Sequence, residues 1–139
     1  MSIWTQVAGI IRVNSFRFDN TVDYKKQLLE RLEQNDCFGK QFSFEDNWED
    51  YDRENNPIPM GSEGSISYQI IENPHISSLD AFTIVITGSL RDYESITSVV
   101  NWFKKGCNQL NVRQGVISVE CGFKNIIYDY NIQKQMEDF

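Results

Sequence analysis

Six carboxylates, Glu45, Asp46, Glu49, Asp50, Asp52 and Glu54, fall within ten residues of the stretch FEDNWEDYDRE. Acids this dense could hold a hard divalent cation, or present a negative surface to a basic partner. The calcium reading fails on spacing. Asp50, Asp52 and Glu54 match the first, third and fifth positions of an EF-hand loop. The sixth position is then Asn55 where glycine is needed, and the twelfth is Gly61 where a bidentate glutamate is needed.

Other chemistry is excluded by residue type. His75 is the single histidine, so a multi-histidine metal centre and a two-histidine phosphoesterase are ruled out. It follows Asn73-Pro74, a turn signal that places it in a loop. No G-x-S-x-G elbow and no G-x-x-x-x-G-K-[ST] loop is present. The run GSEGS, 61–65, could wrap a phosphate with backbone N–H groups, but it precedes a strand rather than opening a helix. It reads as a flexible entry to that strand. Cys37, Cys107 and Cys121 share no C-x-x-C spacing, so neither a disulfide framework nor a zinc knuckle is implied. Cys107 and Cys121 fall at expected core positions. No catalytic, metal-ligating or cofactor-binding residue is assigned, and the chain is not expected to be an enzyme.

The elements that must carry the acidic run are legible from periodicity. Residues 3–13 alternate as a strand, with Val7, Ile11 and Val13 on one face and Trp4, Ala8 and Ile10 on the other. A helix follows, capped by Asn20 or Thr21, with Tyr24, Leu28, Leu29 and Leu32 as its apolar stripe. It fades near Gln34-Asn35-Asp36. Residues 64–71 and 82–88 read as strands, with Ile66, Tyr68 and Ile70, then Phe82, Ile84 and Ile86, turned inward. Asp92 opens a second helix, whose Ile96, Val99, Val100, Phe103 and Cys107 share one face and which ends near Gly106 or Asn108. Residues 112–121 and 123–130 form a hairpin across Gly122, and a polar tail from Asn131 is expected to fray.

The order is β-α-β-β-α-β plus one C-terminal strand. It predicts an α+β, ferredoxin-like split βαβ two-layer sandwich, an antiparallel sheet with two helices on one face. At 139 residues the chain is one domain, 1–139, long enough to fold without a metal or disulfide. It has no apolar run of the ~20 residues that cross a bilayer and no signal-peptide pattern, so a cytoplasmic protein without membrane contact is expected.

The net charge is −7, and the six acids above, offset only by Arg53, hold five of those seven charges. The acidity is local. A chain this acidic is a poor direct binder of nucleic acid, which needs a basic patch. The predicted connection over about 35–63 is longer than this topology requires, and such loops are often functional. Phe42, Phe44, Trp48 and Tyr51 are interleaved with its acids, whereas solvating tails are poor in aromatics. Phe44, Glu45, Asp46, Trp48, Glu49, Asp50, Tyr51 and Asp52 are therefore the candidate partner-binding residues, suited to a basic protein or complex.

Two other surfaces compete. The end of the fold opposite the acidic loop carries Arg12, Arg17 and Arg113 with Lys104 and Lys105. There the first helix N-terminus and Arg17 could hold an anion, as in a small-molecule or nucleotide-binding domain. The second sheet face would show Trp4, Ile10, Arg12, Ser67, Gln69, Ile71, Val85 and Val116, too poor in aromatic and basic residues for RNA and suited to self-association in an assembly subunit.

The stretches WTQVAGIIRV, GSEGSISYQIIENP, GSLRDYESITSVVNWFKK and VRQGVISVE resemble uncharacterised small proteins of bacteriophages and mobile elements of Gram-positive bacteria. The likeness covers most of the chain outside the acidic run and transfers no catalytic residue. It implies the host cytoplasm. Small acidic proteins there often act by binding host machinery, so the expected function is a non-catalytic inhibitor of a host nucleic-acid-binding or defence complex.

Overall fold

The strand β1 (Trp4–Asn14) lies at the centre of the sheet, with both of its edges paired to neighbouring strands. Its burial alternates strictly, with Val7, Ile11 and Val13 buried and Trp4, Ala8 and Ile10 exposed, as a half-covered strand requires. The computed structural model describes residues 3–14, 23–41, 56–72, 80–93 and 95–137. It adds α1 (Tyr24–Leu32), β2 (Ile66–Glu72), β3 (Asp80–Arg91), α2 (Ile96–Asn108), β4 (Val112–Cys121), β5 (Lys124–Asp129) and α3 (Tyr130–Glu137). The five strands form one antiparallel sheet in the order β2-β3-β1-β4-β5. The fold is thus α+β, with an open antiparallel sheet and, among the described residues, three helices. Among the described residues no helix is long and apolar enough to cross a membrane.

One sheet face carries the core. Val7, Ile11, Ile66, Tyr68, Ile84, Ile86, Ile117 and Val119 join Leu32 of α1 and Val99, Phe103 and Cys107 of α2 in one buried cluster. The α2 stripe read from the sequence is the buried one, with Ile96 packed at its margin. Trp102 and Gly106 are buried as well, because α2 is covered on a second side by residues 37 and 38.

Several boundaries differ from expectation. The N-cap of α1 is Asp23, whose carboxylate accepts the Lys26 N–H at 3.1 Å, rather than Asn20 or Thr21. Leu29, placed in the apolar stripe, is 38% exposed. Asp92 does not open α2. Its φ of 56° and its N–H bond to the Ile3 carbonyl, 2.7 Å, hold it in a turn, and Ser95 caps the helix instead. α2 ends at Asn108, one of the two expected stops, so Gly106 lies within it, where a Cβ would stand 2.3 Å from the Phe38 ring. Gly106→Ala is therefore expected to destabilise by about 1–3 kcal/mol, overpacking outweighing the gain in helix propensity. Denaturant unfolding checks this, and a gain in stability would refute the packing.

The polar tail from Asn131 is helical. Asp129 caps α3 by accepting the N–H groups of Asn131 and Ile132, and buried Tyr130 donates its hydroxyl to Asn108 at the end of α2. One buried aromatic anchors a helix that composition alone would leave loose. The 35–63 connection is structured at both ends. Cys37 and Phe38 are fully buried after α1, and Ile58 is buried before β2.

Candidate functional site

The acidic run itself, with Phe44, Glu45, Asp46, Trp48, Glu49, Asp50, Tyr51 and Asp52, lies outside the described residues, as do Arg17 and His75. What the structure describes is the base from which the run departs. Its two ends meet. The Asn56 amide donates to the Lys40 carbonyl at 2.6 Å, and the Asn56 side-chain oxygen accepts the Ile58 N–H at 3.1 Å. Gly39 has room for no side chain, since a Cβ would stand 2.5 Å from Asn56 and 2.7 Å from Pro57.

This base is bolted to the core. The Trp102 indole donates to the Phe38 carbonyl at 2.9 Å, and the Tyr68 hydroxyl donates to the Gly39 carbonyl at 2.6 Å. The Phe38 ring stacks at 4.9 Å on Trp102 and 6.0 Å on Tyr68. On the other side Arg31 of α1 reaches Asp36 and the Gln109 side chain, each at 2.8 Å. The Arg31 hydrogen bond holds the Asp36 carboxyl below its ordinary range.

Gln41 completes the base by a device the sequence does not signal. β2 is an edge strand, and its outward backbone groups would invite another strand. The Gln41 side chain occupies those of Tyr68, donating to its carbonyl at 3.0 Å and accepting its N–H at 2.8 Å. Asn131 does the same for β4 beyond the end of β5, accepting the Gly115 N–H at 3.0 Å and donating to the Arg113 carbonyl at 2.9 Å. A side-chain amide presents a donor and an acceptor side by side, so it can imitate one residue of a neighbouring strand.

The competing end is less built. Arg12 and Arg113 are exposed on the adjacent strands β1 and β4. The N-terminus of α1, where an anion would bind, is already occupied by the carboxylate of Asp23. Two shallow clefts meet at Leu110 and Asn111, of about 230 Å³ beside Tyr130 and Lys134 and about 220 Å³ beside Tyr24 and Gln27. Neither is lined by Arg12 or Arg113, and both are smaller than the roughly 300–1,000 Å³ of ordinary ligand pockets.

The remaining candidates are structural. The backbone of GSEGS is bound to β3, with Ser62 N–H donating to the Arg91 carbonyl and Arg91 N–H to the Glu63 carbonyl, each at 2.9 Å. Its amides therefore serve the turn rather than a phosphate. Burial raises the Cys37 thiol to about 11 and pushes Cys107 higher still, which removes thiolate reactivity at neutral pH. Among the described residues no cluster of histidine, cysteine, aspartate and glutamate could hold a metal ion.

No family model, no curated protein and no solved structure matches this chain. The functional reading therefore rests on its own residues.

Proposed function

We propose that this protein is a non-catalytic binding protein that engages a basic partner through the acidic, aromatic run Phe44–Asp52. The observation that carries the reading is the closed base. Lys40 and Asn56 are hydrogen-bonded to each other and fixed to the core through Gln41, Tyr68 and Trp102. A linker needs no such base. A presented element does, because anchoring its ends lowers the entropy lost on binding. Its five carboxylates, with Glu54 just beyond, steer a basic partner at long range, and Trp48 or Tyr51 supplies the ring that fills a pocket.

The scaffold belongs with this reading as a ferredoxin-like split βαβ sandwich with β5 and α3 appended. The antiparallel order β2-β3-β1-β4, with α1 joining β1 to β2 and α2 joining β3 to β4, supports it. In the phage-type setting implied by the resemblance, the partner is a host nucleic-acid-binding or defence complex in the host cytoplasm, and the run stands in for a nucleic-acid backbone.

The test separates steering from anchoring. A variant with Glu45, Asp46, Glu49 and Asp50 changed to Gln or Asn should fold as the parent does, since exposed charges contribute little to stability. Its association with a basic partner should slow, and the salt dependence of binding should flatten. Trp48→Ala should instead raise the dissociation rate, roughly tenfold or more for an anchor in a pocket. Surface-plasmon traces at two salt concentrations read both effects, and unchanged rates in both variants would refute the proposal.

A further inference from the structure

The sheet face opposite the core carries an apolar row that crosses all five strands. Ile10 of β1 sits between Val85 of β3 and Val116 of β4 in register. Ile71, beside Thr83, extends the row one pleat further on β2, and Ile127, beside Ser118, extends it on β5. These residues are open to solvent, Ile10 at 52%, Ile71 at 48% and Ile127 at 69%. Their neighbours Ala8, Ser67, Thr87 and Ser118 are small and uncharged, while Gln69 and Asp129 close the Val85–Ile10–Val116 line at its two edges, the Asp129 carboxylate being turned to cap α3.

Single charges of opposite sign, Arg12 and Glu120, sit at the two ends of this face, and Arg91, beside Trp4 at the Glu120 end, is already paired with Glu63. Arg12 lies beside Gln114 beyond one side of the apolar row, and Glu120 lies beside Gln6 beyond the other. We infer that a second copy of this chain covers the face, stacked sheet on sheet about a two-fold axis that runs across the strands. That axis turns each strand end for end. Arg12 of each copy then lies over Gln6 of the other, with Glu120 on the adjacent strand within reach of its long side chain, Ile10 meets the small Ala8, and the two apolar rows lie side by side and interdigitate. An axis along the strands would instead bring the two Arg12 side chains together, a like-charge contact that disfavours it.

The area suits a second copy of moderate affinity. Five strands about 4.8 Å apart and about seven residues at ~3.4 Å each give a face of roughly 500–600 Å² per copy. Two such faces bury on the order of 1,100 Å², just above the ~1,000 Å² that separates specific interfaces from incidental ones. An interface at this low end of the range is expected to be weak and reversible, so the dimer should depend on concentration. This inference uses residues other than those of the partner-binding run, and either can fail without the other.

Sedimentation equilibrium of the full chain over a wide concentration range tests it. The parent should pass from the mass of one chain to that of two. Ile10→Asp, at an exposed position of the central strand where the fold should persist with a modestly lowered melting temperature, should remain a single chain. Arg12→Glu and Glu120→Arg should each weaken the dimer roughly tenfold, and the double swap should restore it to near the parent. A single-chain mass at every concentration overturns the inference and leaves the face to a different protein. A dimer that survives Ile10→Asp overturns it by placing the contact elsewhere, and a double swap no better than the single ones overturns the stacking.

Discussion

Replacing Phe103 with alanine is expected to lower the free energy of unfolding by about 3–5 kcal/mol. Phe103 is fully buried and meets Tyr128 of β5 edge-on, with ring centroids 6.2 Å apart. It also fills the space above Gly115, where even a Cβ would stand 3.4 Å from its ring. Truncation removes both contacts and leaves a cavity between two regular elements, which are poorly able to collapse into it. Urea unfolding with an unchanged m-value reads the loss directly. A loss below about 1 kcal/mol would mean that this side of α2 is not the core.

Gly64→Ala is the second large effect, expected at about 2–4 kcal/mol. Gly64 has a φ of +80°, and a Cβ there would stand 2.0 Å from the Ser89 carbonyl oxygen. Neither problem is relieved by a side-chain rotation, because the obstacle is backbone. The GSEG turn would have to leave β3, breaking the backbone bonds to Arg91 and pulling apart the exposed 2.6 Å ion pair between Arg91 and Glu63. Gly122→Ala is the control. Its φ is +59° but nothing lies within 4 Å, so only the cost of the left-handed backbone, about 1–2 kcal/mol, should appear. Thermal or chemical unfolding of the two variants side by side isolates the clash, and equal losses would refute it.

The parts of the fold that could be read in advance are those where one physical signal dominates. Alternation in β1, β2 and β3 reports a sheet with one covered face, and the covered residues are the predicted ones. The α2 stripe is equally plain. Helix starts were less legible because this chain offers several capping residues in series, and local chemistry does not choose among them. Tertiary bonds do. Asp92 is taken by the Ile3 carbonyl, so Ser95 is the next residue free to cap. α3 is not marked in the sequence because its stability comes from Tyr130 and the Asp129 cap rather than from an apolar stripe.

The base of the acidic run was illegible for a related reason. Phe38, Gln41 and Asn56 stand alone among polar residues, with no period to mark them, and each acts on a partner distant in sequence. A fully buried Phe38 and an amide that imitates a strand can be recognised only once β2 and α2 are placed beside them. The acidic run, in contrast, is conspicuous in composition, and its meaning depends on that hidden base.

Parallel capture from host lysate, using the parent chain, the variant with Glu45, Asp46, Glu49 and Asp50 neutralised, and Trp48→Ala, tests the central claim most directly. The account predicts a basic protein that the parent retains at low salt and releases at high salt, and that both variants fail to retain. Equal recovery of the same protein by all three chains would contradict it and move the binding surface away from Phe44–Asp52.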